Sequence, residues 1–265
     1  MSRAILIIAV TTAFASGSLS AAPPPKIPVA TFFANPAVSQ PSLSADGQTY
    51  ALIISQGDTQ VIATRAVGGD QTVPVAKVVD PAMRLSWLRW ANADRILISG
   101  QFRDPLSTGV RARATRLFGV DRDGNNFGPL ARKWPTFGPG NWSVQFQDSI
   151  IHWTPADPKT VLLSFQSPME AHPEVMRMDV DTGALKRVQA AVNGIREWYA
   201  DPEGQIRAGV ASDGDRYQIW ARSGPDEPLR EVVDEKIFGA TGPTFAGFHS
   251  DPRLIYVMAP DGGRQ

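Results

Sequence analysis

Residues Glu197–Val210 read EWYADPEGQIRAGV. An aromatic pair leads into a short polar step, Ala200-Asp201-Pro202-Glu203-Gly204, and then into an alternating apolar and polar run. Asp, Pro and Gly close together specify a tight turn, and period-2 alternation specifies a half-buried strand. The stretch is therefore a hairpin arm, and the rest of the chain shows whether it stands alone.

The same pattern recurs. It is present in SLSADGQTYALII (Ser42–Ile54), LRWANADRILISG (Leu88–Gly100), HWTPADPKTVLLSF (His152–Phe165) and AGFHSDPRLIYVM (Ala246–Met258). The marker acids are Asp46, Asp94, Asp157, Asp201 and Asp251, spaced by 48, 63, 44 and 50 residues. Each marker is followed by a second strand, a turn and a further strand. Examples are RLFGVDRDGNN (Arg116–Asn126), VMRMDVDTGALKRV (Val175–Val188), YQIWARSGPDEPLREV (Tyr217–Val232) and TQVIATRAVGGDQTVPVAKV (Thr59–Val78). About four strands per unit and a period near ~45 residues match the blade of a β-propeller. A pair of β-sandwiches is the rival; it explains the strands but not the repeated marker. The expected fold is all-β: about four complete four-stranded blades plus part of a fifth, an incomplete ring. Trp90, Trp153, Trp198 and Phe248, at the unit starts, are expected to pack between blades.

Composition agrees with a globular domain of this kind. The 265 residues are 43% hydrophobic and 20% charged, with 23 Gly and 22 Pro suited to many turns. The formal charge is 0, so nothing points to a polyanion such as nucleic acid. Cysteine is absent, which excludes disulfides, thiolate metal sites and a cysteine nucleophile.

The amino-terminal residues have a separate logic. Arg3, the apolar run AILIIAV (Ala4–Val10) and the small residues ASGSLSAA form a secretory signal pattern over residues 1–22; a retained anchor is the alternative. PPPK (Pro23–Lys26) opens an extended linker, with a lead-in strand to residue 40, and the propeller region spans 41–265. The expected location is the periplasm or beyond, with no membrane span once the signal is removed. At the carboxyl end, Asp261-Gly262-Gly263 forms a hairpin turn followed only by Arg264 and Gln265. A half-built hairpin leaves an open strand edge, so self-association through blade edges is expected.

The opening segment IPVATFFANPAVSQPSLSADGQTYALII (Ile27–Ile54) resembles that of bacterial secreted prolyl oligopeptidase-type serine peptidases. The stretches LRWANADRILISG, RLFGVDRDGNNFGPL and NGIREWYADPEGQIRAGVASDGDRYQIWAR (Asn193–Arg222) are similar to that family's blades. The resemblance extends over about Ile27 to Gln265. It implies a propeller preceding an α/β-hydrolase domain with a Ser-Asp-His triad and a Gly-x-Ser-x-Gly elbow. It further implies that the propeller restricts entry to short peptides. No Gly-x-Ser-x-Gly occurs; the nearest stretch, GVASDG (Gly209–Gly214), has the wrong spacing. The chain is thus expected to be the gating part of a serine-type oligopeptidase, or of a dipeptidyl or acylaminoacyl peptidase-like hydrolase. The catalytic domain is expected to be missing from the chain, and with it any catalytic residue; no cofactor-binding or metal residue is expected either. Its peptide partner would be reached through the missing hydrolase domain. A stand-alone periplasmic propeller for binding or scaffolding is the alternative, since propellers host many functions.

Other constellations have a structural reading. His152 and His249 sit at unit starts and are expected to be structural, and His172 to lie on the surface; no pair has ligand spacing. DRDGN (Asp121–Asn125) and DVDTG (Asp179–Gly183) miss the calcium-loop pattern and are hairpin turns. The run RARATR (Arg111–Arg116) is a solvated basic strand. KWPTFGPGNW, with Trp134, Phe137 and Trp142, is a candidate capping loop.

Overall fold

The computed structural model describes residues 36–80, 82–105, 111–135, 144–167, 170–214, 216–236 and 243–259. The described part belongs to one compact unit, Pro36–Gln265. The proposed signal and the final Asp-Gly-Gly turn lie outside the described residues, as do Phe137 and Trp142.

The fold is all-β, and its strands follow chain order. The first sheet is β1 (Val38–Leu43), β2 (Thr49–Gln56), β3 (Thr59–Ala66) and β4 (Thr72–Val78). The second is β5 (Met83–Trp90), β6 (Arg95–Pro105), β7 (Arg111–Asp121) and the short β8 (Gly128–Pro129). The third is β9 (Ile150–His152), β10 (Thr160–Phe165), β11 (Glu174–Asp179) and β12 (Leu185–Gln189). The fourth is β13 (Ile195–Ala200), β14 (Ile206–Asp213), β15 (Arg216–Ala221) and β16 (Arg230–Lys236). The last is a two-stranded sheet, β17 (Thr244–Phe248) and β18 (Ile255–Met258). Every pairing is antiparallel between sequence neighbours, so each sheet is a simple meander. The one helical element among the described residues is a 3-10 turn, Leu130–Lys133.

Four complete four-stranded sheets and one half sheet match the sequence expectation, and the β-sandwich rival has no support. Closure into a ring is not detected. The marker acids hold equivalent places. Asp46, Asp94, Asp157, Asp201 and Asp251 each lie in the turn between the first and second strand of their sheet.

The core lies between sheets, because a strand's two faces serve two neighbours. In β6, Ile96 and Ile98 pack with Ala51, Ile53 and Ile62 of the first sheet. Leu97, between them, packs with Val161, Leu163 and Phe165 of the third. In β10, Leu162 turns the other way, towards Ile195 and Trp198 of the fourth sheet. Ala208, Val210 and Ile219 then meet Phe245 of the half sheet. Such central strands are near-continuous apolar runs, and the middle residues of β6 and β10 are fully buried. Burying each Leu or Ile contributes about 1.5–3 kcal/mol.

The unit-start aromatics fall one per interface, as expected: Trp90, Trp153, Trp198 and Phe248 belong to four successive apolar clusters. A buried indole must also satisfy its N–H. Trp90 Nε1 donates to the Ser42 carbonyl at 2.9 Å, and Trp198 Nε1 to the Pro173 carbonyl at 2.8 Å. Trp134 is buried as well. Its Nε1 donates to the Gly183 carbonyl at 3.0 Å, and its ring meets Phe165 edge-on. It is therefore part of the seam between the second and third sheets rather than a capping loop.

Turns between the third and fourth strands dock onto the preceding sheet. Gly124 has φ 90°, and a Cβ there would lie 2.9 Å from the Val75 carbonyl oxygen. Gly183 has φ 70°, and a Cβ there would overlap the Leu130 carbonyl. Only glycine tolerates both the positive φ and the close approach.

Candidate functional site

The turns between first and second strands and those between third and fourth strands lie at the same end of each sheet. There, three neighbouring sheets enclose a cavity of about 1150 Å³. Ser42 and Leu43 line it from the first sheet, Arg89 to Arg95 from the second, and Trp153 and Lys159 from the third. Asp121 and Asp181, from the outer turns of the second and third sheets, complete it.

Most of its charges are committed to structure. Arg95 is buried, with its side chain 4% exposed. It donates to Asp121 Oδ1 at 2.7 Å, to the Asn126 carbonyl at 3.2 Å and to the Val180 carbonyl of the third sheet at 3.0 Å. Asp181 stands 3.9 Å from the same guanidinium. A buried cation with this many acceptors offsets its desolvation and ties two sheets together. Asp94 Oδ1 lies 3.9 Å from Arg122, which pairs with Asp46 at 2.8 Å across the first seam. The Ser44 hydroxyl, the Gln48 N–H and Arg122 together hold the Asp46 carboxyl well below the usual carboxylate range. Burial opposes the same effect at Asp179, but the Thr182 N–H and hydroxyl, the Asp181 N–H and the Lys159 charge bring it below its usual value.

Two cations differ. Arg89 is exposed, and its guanidinium lies 4.5 Å above the Trp153 ring. Lys159 is exposed on the adjoining turn. Among the described residues, no carboxylate lies within ion-pair distance of either. Both line the cavity, with Trp153, Pro155 and Pro158 as an apolar rim. No histidine lines it, so a bound molecule there would meet no serine–histidine pair. Two exposed cations beside an apolar rim suit an anionic group.

The histidines have the following places. His152 Nδ1 accepts from the Thr154 N–H at 3.0 Å, and His249 Nδ1 accepts from the Asp251 N–H at 2.8 Å. The same ring nitrogen thus caps the same turn in two sheets. His172 is half-buried rather than on the surface: its Nε2 accepts from the Gly194 N–H at 3.1 Å, which fixes the connection into the fourth sheet. The Asp-Gly stretches are turns. In the first, the Asn125 N–H bonds Asp123 Oδ1 at 2.9 Å; in the second, the Thr182 N–H bonds Asp179 Oδ1 at 2.7 Å. In RARATR, Arg113 is exposed, whereas Arg116 covers Phe102 at 4.6 Å. Sequence reasoning did not single out Arg89 or Lys159. Each is a lone basic residue inside a repeat, and the ring that holds Arg89 belongs to the next sheet.

No protein-family model matches the sequence, and no curated protein matches it. Solved structures do. One is an oligogalacturonate lyase in complex with manganese, at 12% identity over 81% of this chain and 59% of that one, with a TM-score of 0.51. Another is a prolyl endopeptidase, at 12% identity over 79% of this chain and 30% of that one, with a TM-score of 0.50. A third is an acylaminoacyl peptidase in complex with a peptide chloromethyl ketone, at 14% identity over 79% of this chain and 33% of that one, with a TM-score of 0.42. All three contain β-propellers. The first two likenesses establish the fold, and the chain spans less than two thirds of each of these proteins.

Proposed function

We propose that this chain is the substrate-gating propeller of a secreted serine-type oligopeptidase and carries none of the catalytic residues itself. The observation that carries the reading is the run of sequential four-stranded sheets in a chain whose opening segment, Ile27–Ile54, resembles that of the secreted peptidases. The likeness to a prolyl endopeptidase, of which this chain spans 30%, supports it at the level of fold. The signal pattern over residues 1–22 supports export to the periplasm or beyond. In this role the propeller admits short peptides to a hydrolase domain and excludes folded chains, and bond breaking belongs to the partner domain.

The test is the coding sequence downstream of Gln265. A continuous frame with a Gly-x-Ser-x-Gly elbow supports the reading, and joining that frame to this chain yields peptide hydrolysis selective for short substrates. A stop with no hydrolase frame overturns it. A second reading, a stand-alone periplasmic propeller that binds a small ligand, is favoured by the cavity with its two exposed cations, which form no ion pair among the described residues.

A further inference from the structure

We infer that the cavity between the first three sheets is a docking site for the C-terminal carboxylate of a short peptide, with Arg89 as its principal contact and Lys159 as the second cation. The choice of a peptide rests on the function proposed above; the choice of a carboxylate rests on the cavity itself.

The cavity lining carries three basic and three acidic side chains, so its net charge selects nothing. What differs is how they are engaged. Asp121 is held by Arg95 and by the Asn126 amide at 2.6 Å, and Asp181 and Asp94 each face a guanidinium at 3.9 Å. Arg95 directs three of its donors to Asp121, Asn126 and Val180 and is buried. Arg89 and Lys159 keep theirs. The Trp153 ring beneath Arg89 holds the guanidinium carbon 4.5 Å from the ring centre, an attraction to the ring face that is not a conventional hydrogen bond. A planar fork fixed in this way matches the two oxygens of a carboxylate. Lys159 adds a point charge, and Pro155, Pro158 and Trp153 give the ligand's last side chain an apolar rim. The remaining negative character at Asp94 and Asp181 faces the same space, so a zwitterionic ligand fits it better than a simple anion. A volume of about 1150 Å³ holds a few residues rather than a folded chain.

The experiment is calorimetric titration of the purified chain with a proline-containing tripeptide, supplied as the free acid and as the C-terminal amide. The free acid binds, and the amide binds at least about tenfold more weakly. Arg89→Ala removes that difference and Lys159→Ala reduces it. Arg89→Lys retains part of it, because the charge stays and the fork is lost. Unchanged circular dichroism of Arg89→Ala, an exposed position, ties the loss to binding. Equal affinity for acid and amide, or full discrimination surviving in Arg89→Ala, overturns the inference. A galacturonate trimer that binds through Arg89 while the tripeptide does not overturns the peptide assignment. Because the titration uses this chain alone, its outcome is separate from that of the reading-frame test. A hydrolase frame without carboxylate discrimination removes only this inference, and discrimination without such a frame removes only the peptidase reading.

Discussion

At the scale of single residues, the turns carry constraints that contacts alone do not express. Gly47 and Gly183 both have φ 70°, but a Cβ on Gly47 meets nothing within 4 Å, whereas one on Gly183 overlaps the Leu130 carbonyl. Gly47→Ala should therefore cost only the left-handed strain, about 1–2 kcal/mol. Gly183→Ala should cost more, because the docked turn must also move and the Trp134 hydrogen bond to it stretches. Denaturant midpoints of the two variants measure the difference; equal midpoints refute it. Carboxylates supply a second residue-level prediction. Asp46 and Asp251 lie below the usual carboxylate value, Asp46 chiefly through the Ser44 hydroxyl and Asp251 chiefly through Arg253. A depressed folded pKa stabilises the native state above the unfolded pKa of about 3.9, and the contribution is lost as pH falls through the folded pKa. Melting temperature should thus fall below about pH 4. Asp46→Asn should flatten that acid limb, which thermal melts from pH ~6 to ~2 would reveal. The marker acids were legible in the sequence as turn residues. Their partners were not, since Arg122 reaches Asp46 from another sheet and no local spacing encodes that pairing.

At the scale of elements, each sheet interface is a separate apolar cluster with its own tryptophan or phenylalanine. Trp198 is 2% exposed and fills the seam between the third and fourth sheets, and Trp90, 6% exposed, fills the first. Replacing either with Ala should cost about 3–5 kcal/mol, from the lost burial and the cavity left behind. The seams share no residues, so the double variant should lose the sum of the two within about 0.5 kcal/mol while unfolding remains cooperative. Urea titrations of the single and double variants test this, and a large coupling would show that the seams are not independent. Strand order and blade count were readable from the repeat because alternation and turn chemistry are local properties. The positions of Leu97 and Leu162 were not: in an unbroken apolar run, periodicity cannot say which residue faces which neighbour. The same limit hid Arg89, whose role depends on a ring in the adjoining sheet.

At the scale of the whole molecule, the described polar networks are structural. Ser99, fully buried, donates to Asp148 Oδ2 at 2.7 Å, and Thr115 donates to Asp148 Oδ1 at 2.5 Å. This fastens the segment ahead of β9 to the second sheet. Among the described residues, no histidine is bonded to a serine hydroxyl. The sequence holds no Gly-x-Ser-x-Gly elbow, so a fluorophosphonate should leave the purified chain unlabelled, as read by intact mass, and one covalent adduct per molecule would contradict this. Each sheet is built from a contiguous stretch of chain, and among the described residues each apolar cluster joins sequential neighbours. That arrangement has a mechanical consequence. Held by its two ends in an optical trap, the molecule should yield from the outside inwards, shedding one meander at a time. Each release should lengthen the tether by roughly 15 nm, the contour of about 45 residues. The half sheet, with the fewest strands to peel, should let go at the lowest force.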